Sequence, residues 1–420
     1  MTRPGAAAEA TAIERVFREA YGQAVATLVR VFGDITLAED AVQEAFLVAG
    51  DRWPRDGIPP NPVGWIVTTA RRRAIDHLRR AARGRELHEQ LGGFDAQRHG
   101  ADVEVWGEDG PVSHDQLRLI FTCCHPALRT EHQVALTLRL LGGLSVDEVA
   151  RSFLVSESTM AKRLVRAKYK IKAANIPYRV PKDSDLPERL RSVLSVVYLI
   201  YNTGADDPQR ASLRADAIRL ARALADLMPD EPEPAGLLAL MLLSESRMPA
   251  RTSDGGLVLL ADQDRTLWDR VLIDEGHAIL RACIRRARPG PFQIQAAIQA
   301  AHCDAGSFEA TDWPQILALY DHLYAVMPTP VVALNRAIVV GEVDGPTAGL
   351  AAMDAIAADL DNYHLMHAAR GSALRRLGHR DAARVAYERA AALAVTDLDR
   401  RFLERQIEEL GSPLCPSQGR

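Results

Sequence analysis

Two short segments of the chain concentrate positive charge of the kind that binds phosphate. Residues 71–85 contain seven arginines and a single acidic residue, Asp76. Residues 162–172 contain six lysines and arginines and no acidic residue. Cations on a regular surface neutralise the phosphates of a nucleic acid, although a basic helix face is often only solvated. The sequence therefore favours two nucleic-acid contacts, with two solvated helix faces as the alternative.

The second basic segment ends a predicted helix-turn-helix. Ser145 and Glu148 have the spacing of a capping box, and Ser156 offers a second cap, which predicts helices near Ser145–Phe153 and Glu157–Lys172. A helix-turn-helix points the start of its second helix at base edges in the major groove. The residues that this geometry would bring to DNA are Ser158, Thr159, Lys162, Arg163 and Arg166. A basic helix end favoured by the helix dipole is the alternative interpretation.

The first basic segment lies on another predicted helix. Asn61-Pro62 is a cap and first-turn pair that predicts a helix over residues 62–82. An apolar face can pack inward and consists of Trp65, Ile66, Ala70, Ala74 and Leu78. Arginines then fall on an outer stripe that could follow a phosphate backbone. The candidate DNA-binding residues here are Arg71, Arg72, Arg79, Arg80 and Arg83.

Length and charge describe a protein of several domains. The 420 residues and 46.0 kDa exceed what one core usually organises, which predicts two or three domains. The net charge is −4 and the pI about 6.3. Up to Tyr178, however, 24 Lys and Arg face 22 Asp and Glu, so the acidic excess lies in the remainder of the chain.

Little in the sequence indicates a metal or catalytic centre. The five cysteines show no CxxC spacing, and neighbouring residues of a helix diverge, so Cys123, Cys124 and His125 would not converge on one ion. Buried thiols are the better interpretation.

Nucleophile elbows, P-loops and dinucleotide fingerprints are missing, so we expect no cofactor, no metal and no enzymatic activity. Without an apolar membrane span or signal core, a cytoplasmic protein is expected.

The chain reads as helical nearly throughout, which predicts an all-α fold. The pattern divides it into a helical domain at 10–83, an acidic linker at 84–112, the helix-turn-helix domain at 113–176 and a helical extension at 187–411. In the extension, small residues follow the offsets of a tetratricopeptide helix pair. They are Gly371, Leu374, Gly378, Ala383, Tyr387 and Ala390, and weaker copies start at Ala348 and Ile316.

In combination, these segments resemble a bacterial sigma factor of the extracytoplasmic-function group. The likeness rests on "AEDAVQEAFL", "NPVGWIVTTARRRAIDHLRR" and "RLVRAK", in order and at the expected separation. The later segments "VVYLIYNTG", "DQDRTLWDRVLIDEG" and "GPFQIQAAIQAAH" resemble the subfamily with a long tetratricopeptide-like C-terminal extension. One departure is Thr203-Gly204-Ala205, where that subfamily usually reads Glu-Gly-Tyr after Asn202.

The resemblance implies roles for the residues already singled out. Asp40, Gln43 and Glu44 match the helix that grips the β′ coiled-coil of core RNA polymerase. The loop from Arg52 to Pro60 and the next helix would read and melt the downstream promoter element, and the helix-turn-helix would read the upstream one. The implied partners are core RNA polymerase, through its β′ and β subunits, and promoter DNA. The chain itself would carry out no covalent chemistry.

The extension suggests built-in control. "DQDRTLWDR" combines charges with an aromatic residue, namely Asp262, Asp264, Arg265, Trp268, Asp269 and Arg270. One hypothesis is that this segment touches the sigma domains, the polymerase or a regulatory protein and gates activity; the alternative is a helix start with internal ion pairs. A different class of function also fits part of the sequence: a one-component regulator whose helix-turn-helix binds an operator while the repeats sense a ligand or peptide.

Overall fold

The described part of the chain is almost entirely helical, which confirms the all-α prediction. The structure, a computed structural model, describes residues 17, 20–91, 112–153, 155–205, 212–253, 256–394 and 396–411. The helices up to the extension are α1 (20–32), α2 (Ile35–Asp56), α3 (Pro62–Leu91), α4 (Val112–Cys123), α5 (Thr130–Leu136), a π-helical turn (Thr137–Leu141), α6 (Val146–Ser152) and α7 (Glu157–Ala173).

The remaining elements are α8 (Leu186–Ala205), α9 (Ser212–Leu227), α10 (Pro232–Glu245), α11 (Arg270–Ile284), α12 (Pro291–Asp304), α13 (Trp313–Val326), α14 (Pro330–Val343), α15 (Pro346–Asp354), α16 (His364–Arg376), α17 (Arg380–Leu393) and α18 (Asp397–Gly411). Short 3₁₀ turns cover Met248–Ala250, Leu260–Asp262, Arg265–Leu267 and Ala357–Leu360. Two antiparallel strands, β1 (Thr252–Ser253) and β2 (Gly256–Leu257), pair Thr252 with Leu257.

The described residues form two compact units. The first holds residues up to Thr203 together with Ala215–Leu220, and the second holds Gly204–Arg214 and the residues from Ala221 onward. Most of α8 therefore packs in the first unit, so the boundary expected near residue 187 does not coincide with the division in space.

Close backbone contact joins the first helix to the region before the helix-turn-helix. Phe17, Tyr21 and Phe46 form an aromatic group, with the Phe17 and Phe46 ring centroids 4.5 Å apart. Gly22 lies against the π-helical turn, and a Cβ there would come within 2.9 Å of the Leu141 carbonyl oxygen. A glycine at this position lets α1 reach the backbone of the turn.

The helix-turn-helix forms as its caps predict. The Ser145 hydroxyl accepts a hydrogen bond from the Glu148 N–H at 3.1 Å, and the Glu148 carboxylate accepts one from the Ser145 N–H at 2.7 Å. Ser156 accepts from the Thr159 N–H at 3.3 Å and begins α7. These bonds satisfy backbone donors that a helix start otherwise leaves without partners. The observed bounds of α6 and α7 lie within a residue or two of the predicted ones.

Helix α3 begins where predicted and extends further than predicted. The Asn61 side chain accepts from the Gly64 N–H at 2.9 Å, as expected of an N-cap. The helix continues to Leu91, nine residues past the expected end at 82, so the first part of the predicted linker is helical. Residues 92–111 of that linker lie outside the described residues.

The second unit consists largely of paired helices, as the repeat pattern predicts. In the pair α16 and α17, Gly371 lies beneath the Tyr387 ring, and a Cβ at 371 would approach it to 2.8 Å. Ala383 and Ala390 on α17 are buried against the same core. In the pair α14 and α15, a Cβ at Gly349 would lie 2.7 Å from the Gly341 Cα. Small residues thus allow the paired helices to approach closely.

Candidate nucleic-acid interface

The predicted DNA-facing residues of α7 lie on one accessible surface. Ser158, Thr159, Lys162 and Arg166 are exposed, and Arg163 is half-buried because its guanidinium stacks on the Phe153 ring at 5.3 Å. The start of α7 is held by hydroxyl contacts, since the Ser156 Oγ lies 2.8 Å from the Thr159 Oγ1. The hydroxyl groups and the cationic side chains therefore project from a helix start that is held in place.

Four of these residues line a cleft of about 410 Å³ that also includes two residues of α5 and its N-cap. The lining consists of Arg129, Glu131, His132, Thr159, Lys162, Arg163 and Arg166. Four cations face a single carboxylate, so the cleft attracts anions. Burial, together with Arg163, lowers the pKa of His132, which favours the neutral imidazole. The sequence did not point to Arg129 and His132, which precede the start of α7 by 28 and 25 residues.

Lys168 is one of the six basic residues at 162–172, but it does not belong to this surface. Its ammonium bonds the Glu39 carboxylate of α2 at 2.8 Å, and the Arg139 guanidinium bonds the same carboxylate at 2.6 Å. The Glu39 and Arg139 side chains are only 7% and 6% exposed. We call these three residues the Glu39 cluster; it joins α2 to the helix-turn-helix within the first unit.

Further contacts reinforce this junction. Arg139 also donates to the Leu144 carbonyl at 2.6 Å, and its guanidinium lies 5.6 Å from the Tyr21 ring centroid. Tyr178, just after the helix-turn-helix, donates to the Ala26 carbonyl of α1 at 2.7 Å. These bonds join α1, α2 and the helix-turn-helix, whereas the buried Tyr21 hydroxyl has no hydrogen-bond partner among the described residues.

The three polymerase-binding candidates on α2 differ in their surroundings. Asp40 is exposed, and partial desolvation together with Glu39 raises its pKa. Gln43 donates to the Glu39 carboxylate at 3.1 Å. Glu44 lies 2.7 Å from the His77 Nε2 of α3, so it also joins α2 to α3. Of the three, Asp40 is the side chain most available to a partner.

The α3 arginines form an open basic stripe. Arg72, Arg79, Arg80 and Arg83 are exposed, and Arg71 is half-buried. Ile66, Ala70 and Ala74 are buried as predicted, and Trp65 is half-buried with its ring 5.5 Å from that of Trp53. The prediction was wrong for Leu78, which is 45% exposed.

The aromatic residue of the charged segment in the extension is internal, whereas four of its five charged residues are exposed. Trp268 is buried, and the guanidinium groups of Arg265 and Arg247 lie 4.5 and 5.7 Å from its ring centroid. Arg265 also donates to the carbonyls of His302 and Ala305 at the end of α12, at 2.9 and 2.7 Å. The segment thus ties α12 to the turn before α11.

Two acidic residues of the same segment are N-caps, one of a 3₁₀ turn and one of α11. Asp264 accepts from the Thr266 N–H at 2.9 Å, and Asp269 accepts from the Val271 N–H at 2.9 Å to start α11. Asp262 and Arg270 are exposed. These two are the members of the segment that a partner could reach most directly.

The adjacent cysteines behave as core residues. Cys123 and Cys124 are fully buried, and burial raises the pKa of the Cys124 thiol to about 11. Among the described residues no group of three or more His, Cys, Asp or Glu side chains could hold a metal ion. Nor does any helix of the described ranges have the length and apolar character needed to cross a bilayer.

Comparison with known proteins matches each of the two basic regions to a family model. Residues 16–84 match the family model of sigma-70 region 2, and residues 118–171 match that of sigma-70 region 4. The first match contains α2 and the basic stripe of α3, and the second contains the helix-turn-helix. The chain belongs to the sigma-70 family. Residues 189–284 of this sigma-70 family member match a family of unknown function, DUF6596.

Relatives place this family member in the extracytoplasmic-function group and show that its extension is shared. It is 29% identical over 143 residues to the ECF RNA polymerase sigma factor SigK of Mycobacterium ulcerans, covering 32% of this chain and 70% of that protein. It is 29% identical over 153 residues to the probable ECF sigma factor SigI of Mycobacterium tuberculosis, covering 35% and 50%. An uncharacterized Rhizobium meliloti protein, R00370, is 41% identical over 93% of this chain and 94% of its own length.

Proposed function

We propose that this protein binds core RNA polymerase and directs it to promoters that carry two recognition elements. The observation that carries the proposal is the basic cleft at the start of α7, joined in one unit to the exposed arginines of α3. In this proposal the α7 surface reads the upstream element as duplex. The α3 stripe follows the phosphates of the downstream element, where a melted base is held outside the stack.

Binding to the polymerase is assigned to the α2 surface. Asp40, Gln43 and Glu44 would face basic residues of the β′ subunit, and Asp40 is the best exposed of them. Asp40→Asn should therefore weaken co-elution with core polymerase. Asp51→Asn, an exposed carboxylate further along α2, is the matched control and should leave co-elution unchanged.

Run-off transcription tests the function directly. The reaction contains purified core RNA polymerase, the full chain and DNA from upstream of its own gene. A discrete transcript that depends on the chain is expected. Absence of both the transcript and co-elution with core polymerase would contradict the proposal and favour a regulator that binds an operator.

We also propose that the extension modulates this activity through the exposed residues of its charged segment. Asp262 and Arg270 can meet a partner, whereas Trp268 and Arg265 hold the segment in shape. Asp262→Asn and Arg270→Gln should change transcript yield while the fold, read by circular dichroism, stays intact. Arg285→Gln, an exposed residue at the end of α11, is the control. Equal yields from all three variants would contradict modulation through this segment.

A further inference from the structure

A cavity of about 390 Å³ lies among the helices of the second unit. Its lining comes from α14, α15, α16, α17 and α18 and from the segment around β2. This volume falls in the range of roughly 300–1,000 Å³ that is typical of small-molecule sites. The size alone is compatible with a ligand, so the chemistry of the lining decides which one.

Most of the lining is apolar, and part of it is open to solvent. Leu334, Met353 and Leu403 are buried members of the lining. Leu259, Ile338 and Leu365 line the same cavity and are 41%, 37% and 45% exposed. Large apolar side chains that remain exposed and converge on one cavity indicate a binding surface. An alkyl or similar apolar chain would cover them.

The acidic residues of the lining already have hydrogen-bond partners. Glu342 accepts from Arg376 at 2.6 Å, and Asp399 accepts from the Thr396 hydroxyl at 2.7 Å. Both carboxylates are therefore engaged within the chain.

Two arginines beside β2 lack a carboxylate partner among the described residues. The side-chain hydrogen bond that the structure gives Arg251 goes to the Met248 Sδ at 3.8 Å. Arg405 donates to the Leu257 carbonyl at 3.3 Å and packs where a Cβ at Gly256 would collide with it. Arg251 lines the cavity and is exposed. The balance of charge at this end of the cavity is therefore positive.

We propose that the cavity binds a small apolar monocarboxylate. The chain of the ligand packs on Leu259, Ile338 and Leu365, and its carboxylate bonds the Arg251 guanidinium, which matches carboxylates in a planar, two-pronged geometry. Asn335, another lining residue, adds an amide that has no hydrogen-bond partner in the described part of the chain. This site goes beyond the proposed transcription function, and its binding test does not depend on that function.

Isothermal titration calorimetry with the full chain tests the site. The probes are decanoate, decan-1-ol and decyltrimethylammonium, each below its micelle concentration. Decanoate should bind one molecule per chain. The alcohol and the ammonium should bind at least about tenfold more weakly, because a charge-assisted hydrogen bond is lost.

Variants separate the two parts of the recognition. Arg251→Gln should weaken decanoate about tenfold and leave the alcohol unchanged. Leu365→Glu should weaken both, because it places a carboxylate on the apolar wall. The matched controls are Arg285→Gln and Val385→Glu, which change exposed residues outside the cavity and should bind decanoate like the unchanged chain.

Three results would overturn the proposal. The first is no binding of decanoate, and the second is equal binding of the ammonium. The third is an equal loss in Arg251→Gln and Arg285→Gln, which would show a non-specific charge effect. Binding of an acetylated apolar pentapeptide amide in place of decanoate would reassign the cavity to a protein partner. If Leu365→Glu does not unfold cooperatively on heating, the comparison of Arg251→Gln with Arg285→Gln alone decides the outcome.

Discussion

Replacing Glu39 with glutamine should destabilise the first unit strongly. The variant keeps the shape of the side chain but removes the carboxylate that bonds both Arg139 and Lys168. Breaking a buried ion pair from one side costs about 3–5 kcal/mol. Arg139 keeps its bond to the Leu144 carbonyl, and Lys168 is the more exposed partner at 16%. We therefore expect Glu39→Gln to lower the free energy of unfolding of the first unit by an amount near the lower limit of this range, about 3 kcal/mol.

Hydrogen exchange measured by mass spectrometry resolves this loss by segment. A single unfolding free energy is not defined for a chain with two units, whereas exchange reports on α1, α2 and α7 separately. A loss of about 3 kcal/mol corresponds to exchange roughly 100-fold faster. Asp40→Asn, the exposed neighbour on α2, is the control and should stay within about 0.5 kcal/mol of the unchanged chain.

The pH dependence provides a second check. Burial alone would raise the pKa of Glu39, but Lys168 and Arg139 outweigh it and hold the pKa below its usual value. A folded pKa below the unfolded one gives stability that is present above the unfolded pKa of about 4.3 and is lost as the pH falls through the folded pKa. The difference between the unchanged chain and Glu39→Gln should therefore shrink in acid. Equal protection at pH 7, or a difference that stays constant down to pH 3, would refute the reasoning.

Other perturbations test other parts of the molecule. Gly349→Ala should destabilise the second unit by roughly 1–3 kcal/mol because its methyl group would overlap the facing helix, whereas Gly306→Ala has open space; thermal melting distinguishes them. Because the pKa of His132 lies below 6.5, duplex affinity measured by fluorescence anisotropy should rise only as the pH falls below that value; His132→Gln should show no such rise. Lys162→Ala should reorder the affinities of promoter variants, whereas Arg79→Ala should weaken all of them and reduce the salt slope by about 0.9. An unchanged ranking in both would contradict the division of roles.

Elements set by local bonds could be predicted from the sequence. The bounds of α6 and α7 depend on Ser145, Glu148 and Ser156, whose bonds span three residues, so spacing alone was sufficient. The repeat pair around Gly371 was predictable for a similar reason, since Tyr387 packs on it at a fixed offset. The prediction that Leu78 packs inward was wrong. The apolar stripe of α3 is wider than the surface on which the helix packs, so Leu78 at its edge stays exposed.

Parts of the site that depend on distant residues could not be predicted. Lys168 has the spacing of the wet face of α7, yet its partner Glu39 lies 129 residues earlier. Arg129, the N-cap of α5, and His132 within that helix enter the basic cleft, and nothing in their local spacing ties them to α7. Trp268 with its flanking charges suggested a surface contact, whereas stacked guanidinium groups bury the ring. In each case the deciding contact is tertiary.

The Glu39 cluster also determines when α2 and the helix-turn-helix can join during synthesis. Glu39 leaves the ribosome well before its partners, since Arg139 follows 100 residues later and Lys168 follows 129 residues later. At translation rates of about 5–20 residues per second, this interval lasts roughly 6–26 s. During that time α2 carries its carboxylate in water. The cations then arrive on the nascent chain after α1, α2 and α3 have been made, so the helix-turn-helix joins α2 only after these three helices.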